Sequence, residues 1–486
     1  MKRVLAPAIA GILLAACSSS TSRVAVVESA DAPVATSEAP EDSLPDPGGF
    51  TNGDFPFDPA KQYRAYDRFL VDAVSSIDEF WTRRYSDVYD GDYAPLAGGV
   101  HPVYPGRTTS IPTGCSFAGD YADVEDNAFY CDENDFIVYD DESLFPSYVD
   151  AFGVAVVGVI LAHEWGHAIQ SPARHGVFYD LASPTLELQA DCFAGAWMSD
   201  AVENGVGDQQ LSEADVTGAL LGLVQLGDLP GDLATDEAAH GSAFDRVSAF
   251  QDGYSGGLSP CVDYETNQPQ PLQFGFSEEE LARDNPSDLP FDQEMFDELS
   301  GDLGKFWDAL LASDTPEWRT PKLVVTDTTA RTPRCGDRDA TVAIDGVYVC
   351  SLDSTVTIDG VIALDAYEQI PGDFAVGYLI AVGYAELVQE VVGTDLSGKD
   401  RHLLNDCLAG MWAADILPFN ENPVAPSTDA DPRLGLSPGD LDEAIRMAIQ
   451  LGDTSDDDRQ LGTSFEKVDA FRQGVLYGSD GCFGSE

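Results

Sequence analysis

Apolar residues recur at three- and four-residue spacing in several long segments of this chain, the pattern of helices that bury one face. This spacing predicts an amphipathic opening helix from Tyr63 to Arg84 and later helices around 150–171, 185–203, 211–227 and 241–257. Short apolar runs such as Phe136–Tyr139 lie in the turn-rich region between them and indicate strands. We therefore predict an α+β fold.

The chain also repeats its own motifs in the same order and with roughly the same spacing over about 200 residues, which is the signature of an internal duplication. DEFW, ending at Trp81, recurs as GKFW, ending at Trp307. Three longer matches follow, which are ADCFAGAW (190–197) with NDCLAGMW (405–412), GLVQLGD (222–228) with MAIQLGD (447–453), and HGSAFDRVSAFQDG (from His240) with LGTSFEKVDAFRQG (from Leu461). We predict two homologous domains, 56–265 and 288–486, joined by a linker at 266–287.

The composition limits the possible partners. The 486 residues include 85 acidic and 25 basic side chains, a formal net charge of −60. Such a chain repels phosphate backbones, so we expect no nucleic-acid partner. A solvated acidic surface explains most of this charge, and a calcium-binding or cation-attracting role is the alternative.

The amino terminus predicts export. Residues 1–16 combine an early positive charge with an apolar run too short to span a bilayer, as in a signal peptide. Leu14-Ala15-Ala16-Cys17 resembles the lipobox of bacterial lipoproteins, which implies that Cys17 is lipidated and anchors the protein to the outer face of the cytoplasmic membrane or the cell envelope. Residues 17–55 are rich in Ser, Pro, Ala and acids, which is typical of a disordered tether. The lipid anchor is then the expected contact with the membrane.

Eight cysteines remain after Cys17, four in each repeat, and disulfides persist in exported proteins. Four cysteines allow three pairings. We favour Cys115–Cys131 with Cys192–Cys261, and Cys335–Cys350 with Cys407–Cys482, over free buried thiols.

The string His163-Glu164-Trp165-Gly166-His167 carries the chemistry. Two histidines at i and i+4 lie on one helix face, where both imidazoles can reach one tetrahedral ion. Glu164 lies about 100° further round the helix, which places its carboxylate beside a metal-activated water. Only six histidines are present in the chain, so a chance match is less probable.

Glu187 and Asp191 complete the pattern 20 residues after His167. They are again i and i+4 on one helix face. Glu187 would be the third zinc ligand, which leaves a fourth position open for water. Asp191 would accept a hydrogen bond from a ligand histidine and fix its tautomer. The alternative is a solvated acidic helix face.

AHEWGHAIQ followed by ELQADCFAGAW and HGSAFDR resembles the bacterial neutral zinc metallopeptidases of the gluzincin type. The resemblance covers most of 56–265. It implies a zincin-like fold, one Zn²⁺ held by His163, His167 and Glu187, and Glu164 as the catalytic base.

The implied reaction is hydrolysis of a peptide bond in a polypeptide substrate. Zinc lowers the pKa of its water to roughly 7, and Glu164 transfers the proton to the leaving amine. His240 and Arg246 are candidate donors to the developing oxyanion. Alternatively, His240 caps the last helix and Arg246 pairs with a carboxylate.

The second repeat is predicted to be a catalytically inactive copy, which packs against the active domain or recognises substrate. Alignment through Gln170 and Gln389, and through Cys192 and Cys407, pairs the site positions with different residues: Val382 with His163, Gly383 with Glu164, Glu386 with His167, His402 with Glu187, Leu461 with His240 and Lys467 with Arg246. Asp406 still matches Asp191. A rearranged metal site at His402 and Glu386 is the alternative, but two ligands without a base make a poor one.

We therefore predict an extracytoplasmic, lipid-anchored zinc endopeptidase with one zinc ion per chain. The alternative is a cell-envelope binding or scaffold lipoprotein whose peptidase domain is vestigial. A purely structural zinc conflicts with three protein ligands and a positioned glutamate. The substrate, the cleavage specificity and the oligomeric state are left open.

Overall fold

The structure is a computed structural model that describes residues 55–484 except 179, 234, 236–238, 284, 314, 328–330, 421, 426, 428–431 and 454–458. The signal sequence, Cys17 and nearly all of the predicted tether lie outside the described residues. The fold is mixed α+β, as expected, with small sheets and a majority of helix.

The amino-terminal half (residues 55–265) forms seven α-helices, one 3₁₀ turn and three strands. In chain order these are α1 (Asp67–Val88), β1 (Gly99–Val103), the 3₁₀ turn Tyr121–Asp123, β2 (Ala128–Cys131), β3 (Phe136–Asp140), α2 (Leu144–Phe152), α3 (Ala155–Gln170), α4 (Ser183–Asn204), α5 (Glu213–Gln225), α6 (Ala243–Gly256) and α7 (Leu258–Asp263). The sheet has the order β1-β3-β2, with β1 parallel and β2 antiparallel to β3.

The carboxy-terminal half (residues 288–484) has the same main elements in the same order. A 3₁₀ turn in the connecting segment, Glu280–Ala282, precedes it. Its elements are α8 (Gln293–Leu311), β4 (Lys322–Thr326), β5 (Arg334–Cys335), β6 (Arg338–Asp339), β7 (Thr341–Ile344), β8 (Val347–Cys350), β9 (Thr355–Asp359), α9 (Gly360–Gln369), α10 (Phe374–Val392), α11 (Gly398–Asp415), α12 (Asp440–Gln450), α13 (Ser464–Tyr477) and α14 (Ser479–Phe483). Its larger sheet is β4-β9-β8-β7, again with one parallel pair, β4 with β9.

Two helix boundaries differ from the predictions. The opening helix begins at Asp67, whose carboxylate is held by the buried Lys61 at 2.6 Å. The apolar segment 150–171 is two helices, because Gly153 adopts φ 84° at the end of α2 and α3 starts afresh at Ala155. A positive φ of this kind interrupts helical hydrogen bonding and suits glycine.

Close helix crossings position the site. A Cβ at Gly166 of α3 would lie 2.8 Å from Cα of Ala190 on α4, so this glycine lets α3 and α4 touch. On the other side of α4, a Cβ at Gly195 would lie 1.9 Å from the carbonyl oxygen of Phe250 on α6. A Cβ at Gly253 of α6 would meet the backbone of Cys192 equally closely. The backbones of α4 and α6 are therefore in direct contact.

The two halves share one hydrophobic core and meet through α5 and α6 on one side and α12 and α13 on the other. Phe465 contributes much of this contact, since its ring lies 4.6 Å from that of Tyr254 and its carbonyl oxygen accepts from the Gln251 side chain. Among the described residues, α10 is long and apolar enough to cross a bilayer, and most of it is buried inside the protein.

Four disulfides join the pairs favoured from the sequence: Cys115–Cys131, Cys192–Cys261, Cys335–Cys350 and Cys407–Cys482. The second and fourth tie α4 to α7 and α11 to α14. Each half therefore carries one bridge near its sheet and one between a long helix and the short helix that ends the half.

Candidate active site

Three potential ligand atoms converge between α3 and α4. Nε2 of His163 lies 3.2 Å from Nε2 of His167 and 3.2 Å from Oε2 of Glu187. The distance from His167 Nε2 to the same Glu187 oxygen is 3.5 Å. Ligands about 2.0–2.1 Å from a tetrahedral zinc ion lie about 3.3 Å from each other. The three atoms therefore have the separations that one zinc ion requires.

The state of Glu187 gives an independent test of this fit. Its Oε2 is buried and accepts no hydrogen bond. An unsatisfied carboxylate oxygen is costly inside a protein, whereas a bound cation would satisfy it. Burial would raise the pKa of Glu187, but the positive charges of His167 and His240 hold it well below its usual range. Glu187 is therefore an ionised carboxylate that faces two imidazoles.

Asp191 holds the ring of His163 from behind. Its Oδ1 lies 2.7 Å from Nδ1 of His163, which leaves Nε2 directed at the ligand cluster. Burial lowers the pKa of His163, but the charge of Asp191 and this hydrogen bond outweigh it and raise the pKa to about 9. Since a metal binds the unprotonated nitrogen, zinc binding at this ring displaces a proton.

Gln170 holds the ring of His167 in the same way, and the sequence analysis did not assign it this role. Its Oε1 lies 2.9 Å from Nδ1 of His167, and its Nε2 donates to Leu186 O and to Gln189 Oε1. Gln189 in turn donates to Glu265 at 3.1 Å. The spacing from His167 to Gln170, i and i+3 on one helix, is a signal that could have identified it.

Glu164 lies beside the ligand cluster and is anchored by the sheet. Its Oε2 accepts from the backbone N–H of Tyr130, on the edge strand β2, at 2.8 Å. Burial raises the pKa of Glu164, with the charges of the two histidines opposing the shift. A carboxylate with a raised pKa is a stronger proton acceptor, as a general base requires. No sequence signal pointed to the contact with Tyr130.

The two candidate oxyanion donors occupy different places. His240 lies near Glu187, with its side chain 40% exposed and its Nδ1 3.5 Å from Asp228. Arg246 is buried on α6, where Nε and Nη2 donate to Asp191 at 2.8 Å and Nη1 donates to Leu226 O. The structure therefore places Arg246 behind Asp191, which agrees with the alternative that Arg246 pairs with a carboxylate.

The corresponding place in the carboxy-terminal half is held together by an ion pair. Glu386, on α10, pairs with Arg401 at 2.7 Å and accepts from Asn405 Nδ2 at 2.7 Å. Both Glu386 oxygens are therefore used. His402 lies close enough for the charge of Glu386 to act on its pKa, which burial lowers. Among the described residues, no group of three candidate ligands includes Glu386 or His402.

The α+β fold and the His₂Glu cluster with an adjacent glutamate define a zinc-hydrolase type of site. Residues 69–264 match the model of the family described as "Putative neutral zinc metallopeptidase".

Three relatives have been compared with the chain. It is 31% identical over 150 residues to the uncharacterized protein YpfJ of Escherichia coli strain K12, a match that covers 26% of this chain and 50% of that protein. It is 30% identical over 187 residues to the uncharacterized proteins Mb2605 of Mycobacterium bovis and Rv2575 of Mycobacterium tuberculosis, covering 32% of this chain and 62% of each. The chain thus spans about half the length of the first relative. No solved structure matches the chain.

Proposed function

We propose that the amino-terminal half is an active zinc endopeptidase. The convergence of His163, His167 and Glu187 at tetrahedral spacing, with an orphaned Glu187 oxygen, carries this proposal. Bound zinc supplies a Lewis acid that acidifies its water and polarises a carbonyl.

The protein residues then have distinct tasks. Glu164 accepts a proton at its carboxylate and delivers it to the leaving amine, while the Tyr130 N–H fixes its orientation. Asp191 and Gln170 keep the two imidazoles turned towards the metal. His240 is placed at the rim to donate to the developing oxyanion. Arg246 is a positioning residue that acts through Asp191.

Replacement of Glu164 by glutamine tests this function. Glu164→Gln removes the base but no ligand, so we expect hydrolysis of an unstructured polypeptide to fall by about 10²–10⁴-fold with zinc content unchanged. Peptide products quantified by mass spectrometry, together with metal analysis, measure both. Near-normal turnover by this variant would rule out Glu164 as the base.

We also propose that the protein is exported and lipid-anchored through Cys17. The four disulfides support an oxidising compartment. Cys17→Ala should release the protein from the membrane fraction without changing its thermal unfolding. Replacement of another cysteine, such as Cys115, cannot serve as the control for this variant, because it would also break a disulfide. An unmodified amino terminus on the membrane-bound wild type would contradict this proposal.

We propose further that the carboxy-terminal half arose by duplication and lost its metal. The shared order of elements supports this, and so does a repeated backbone crossing. A Cβ at Gly410 would lie 2.0 Å from Phe471 O, and one at Gly474 would lie 1.9 Å from Cys407 O. These are the counterparts of the contacts at Gly195 and Gly253. The inactive copy then contributes packing area against α5 and α6 of the active half.

A further inference from the structure

Three carboxylates that are distant in sequence from the candidate zinc ligands converge in space. They meet where the connecting segment joins the carboxy-terminal half. Asp288 precedes α8, Asp373 is the N-cap residue of α10, and Glu443 lies on α12. Each can place one oxygen within 4.8 Å of an oxygen of the other two. We call these residues, together with Asp440, the carboxylate cluster.

Asp440 lies one turn before Glu443 on the same face of α12. It is only 4% exposed, and its Oδ2 accepts from the Ser437 N–H at 2.8 Å. Its Oδ1 is buried without a hydrogen-bond partner, as is Oδ1 of Asp288. Two carboxylate oxygens in one small region are therefore without a hydrogen-bond partner. A buried anion of this kind is stable only when a cation or a proton neutralises it.

Some other buried carboxylates in this protein are paired with a buried lysine, whereas Asp140 and Asp245 are satisfied by hydrogen-bond donors. Lys61 forms an ion pair with Asp67, and Lys467 forms one with Asp406. Within the described part of the chain, no basic side chain forms an ion pair with the carboxylate cluster. The amino ends of α10 and α12 offer only about half a positive charge each, against four carboxylates. Arg283 and Arg446 act on Asp373 and Glu443 through their charge alone, without the paired contact that Asp67 and Asp406 have.

The loop before α10 is shaped around one of the carboxylates. A Cβ at Gly372 would lie 1.9–2.1 Å from the carboxyl atoms of Glu443, so only glycine leaves room for them. The Phe374 N–H donates to Glu443 Oε2 at 2.8 Å. In the alignment of the two halves, Val154 and Gly218 stand opposite Asp373 and Glu443. The cluster therefore belongs to the carboxy-terminal half and is no remnant of the zinc site.

We propose that Asp288, Asp373, Asp440 and Glu443 bind one calcium ion. Calcium takes oxygen ligands at 2.3–2.6 Å, so ligand oxygens around one ion lie within about 5 Å of each other. The cluster offers oxygens alone, with neither imidazole nor thiolate to favour zinc. Magnesium demands stricter octahedral geometry and retains more of its water. The ion would cross-link the connecting segment, the start of α10 and the start of α12.

The electrostatics of the cluster agree with this geometry. Burial raises the pKa of Asp373 to about 7, with the charge of Asp288 adding to the shift. Burial also raises the pKa of Asp440 and of Glu443, and the charge of Asp373 adds to both shifts. Without an ion, ionising these groups costs stability as the pH rises from the unfolded carboxyl value through about 7. A divalent cation removes that cost.

Calcium titration of the full, chelator-treated chain tests the proposal. At pH 7.5 we expect calorimetry to show one calcium bound per chain, with a rise in Tm that equimolar magnesium does not match. Glu443→Gln and Asp373→Asn should raise the Tm of the metal-free protein, since each removes a like charge. Each should also weaken calcium binding by about tenfold or more. Asp365→Asn, an exposed site on α9 with the same charge change, should behave as wild type.

The zinc site provides a second control. Glu187→Gln should keep the full calcium response, which separates this ion from the peptidase chemistry. If Glu443→Gln fails to fold, Asp288→Asn, on a partly exposed residue, replaces it. Absence of calcium binding, or equal binding by wild type and the cluster variants, overturns the proposal. A Tm that responds to acidification but not to calcium also overturns it, because protons alone then neutralise the cluster.

Discussion

The two halves use the same helix arrangement to hold different chemistry. In the amino-terminal half, a buried aspartate on α4 connects Arg246 to His163, and that ring faces Glu187. In the carboxy-terminal half, the matching Asp406 connects Lys467 to the hydroxyl of Tyr378. The buried carboxylate with its base therefore persists without a metal ligand to orient. It is part of how the helices pack, and the metal site is built onto it.

The glutamines of the two halves point to the same conclusion. Gln170 donates to Leu186 O, and Gln389 donates to Arg401 O at the same 2.8 Å. The Gln170 oxygen also orients His167, whereas in the other half Glu386 is held by the ion pair with Arg401. If the halves arose by the proposed duplication, an internal ion pair has replaced a metal position with little change in the surrounding helices.

The largest expected difference is in metal content. His163→Ala removes one of three ligands, so we expect purified protein to fall from one zinc per chain to nearly none. His402→Ala, in the matching place on α11, should leave one zinc per chain, because the carboxy-terminal half is predicted to bind none. Elemental analysis of the two full-length variants measures the zinc content of each. Loss of zinc in His402→Ala would mean that the carboxy-terminal half holds metal after all.

A second comparison concerns the buried bases. Arg246→Met and Lys467→Met each leave a buried aspartate without its cation, so each should lower the free energy of unfolding by about 3 kcal/mol or more. Only Arg246→Met should also weaken zinc binding, by about 10–100-fold, because only Asp191 orients a ligand. Denaturant unfolding and zinc competition measure the two effects. An equal loss of zinc affinity in both variants would contradict the positioning role.

The smallest expected effect is at the glutamines. Gln170→Ala and Gln389→Ala each remove the donor to a buried side-chain oxygen, on Gln189 and on Asn405, a cost of about 1–3 kcal/mol. Gln170→Ala should in addition reduce zinc affinity by about tenfold, since the ring of His167 loses its hydrogen bond. Zinc competition again measures the zinc affinity of each variant. If zinc affinity is unchanged, His167 is held by its packing alone.

The sequence indicated two candidate ligands and the candidate base because helix periodicity places His163, His167 and Glu164 without knowledge of the fold. It could not indicate Tyr130, whose backbone N–H reaches Glu164 only because β2 lies at the edge of the sheet next to α3. Nor could it show which side of α4 faces α6. For that reason the sequence left two roles open for Arg246, and the structure shows its nitrogens bound to Asp191 and to Leu226 O. Local spacing was sufficient for the ligands, and long-range contacts decided the rest.

The backbone contact between α4 and α6 has a consequence for how this protein can evolve. Alanine at Gly195 or Gly253 has to push the two helices apart, and the helix that carries Glu187 would move with them. No side chain at this crossing can be made smaller or larger in small steps. Substitutions there therefore cannot shift the position of Glu187 gradually. New substrate preferences then have to arise in the segments that border the site, such as those bearing Phe178 and His240. Selection can then change the residues in these bordering segments while the positions of His163, His167 and Glu187 stay constant.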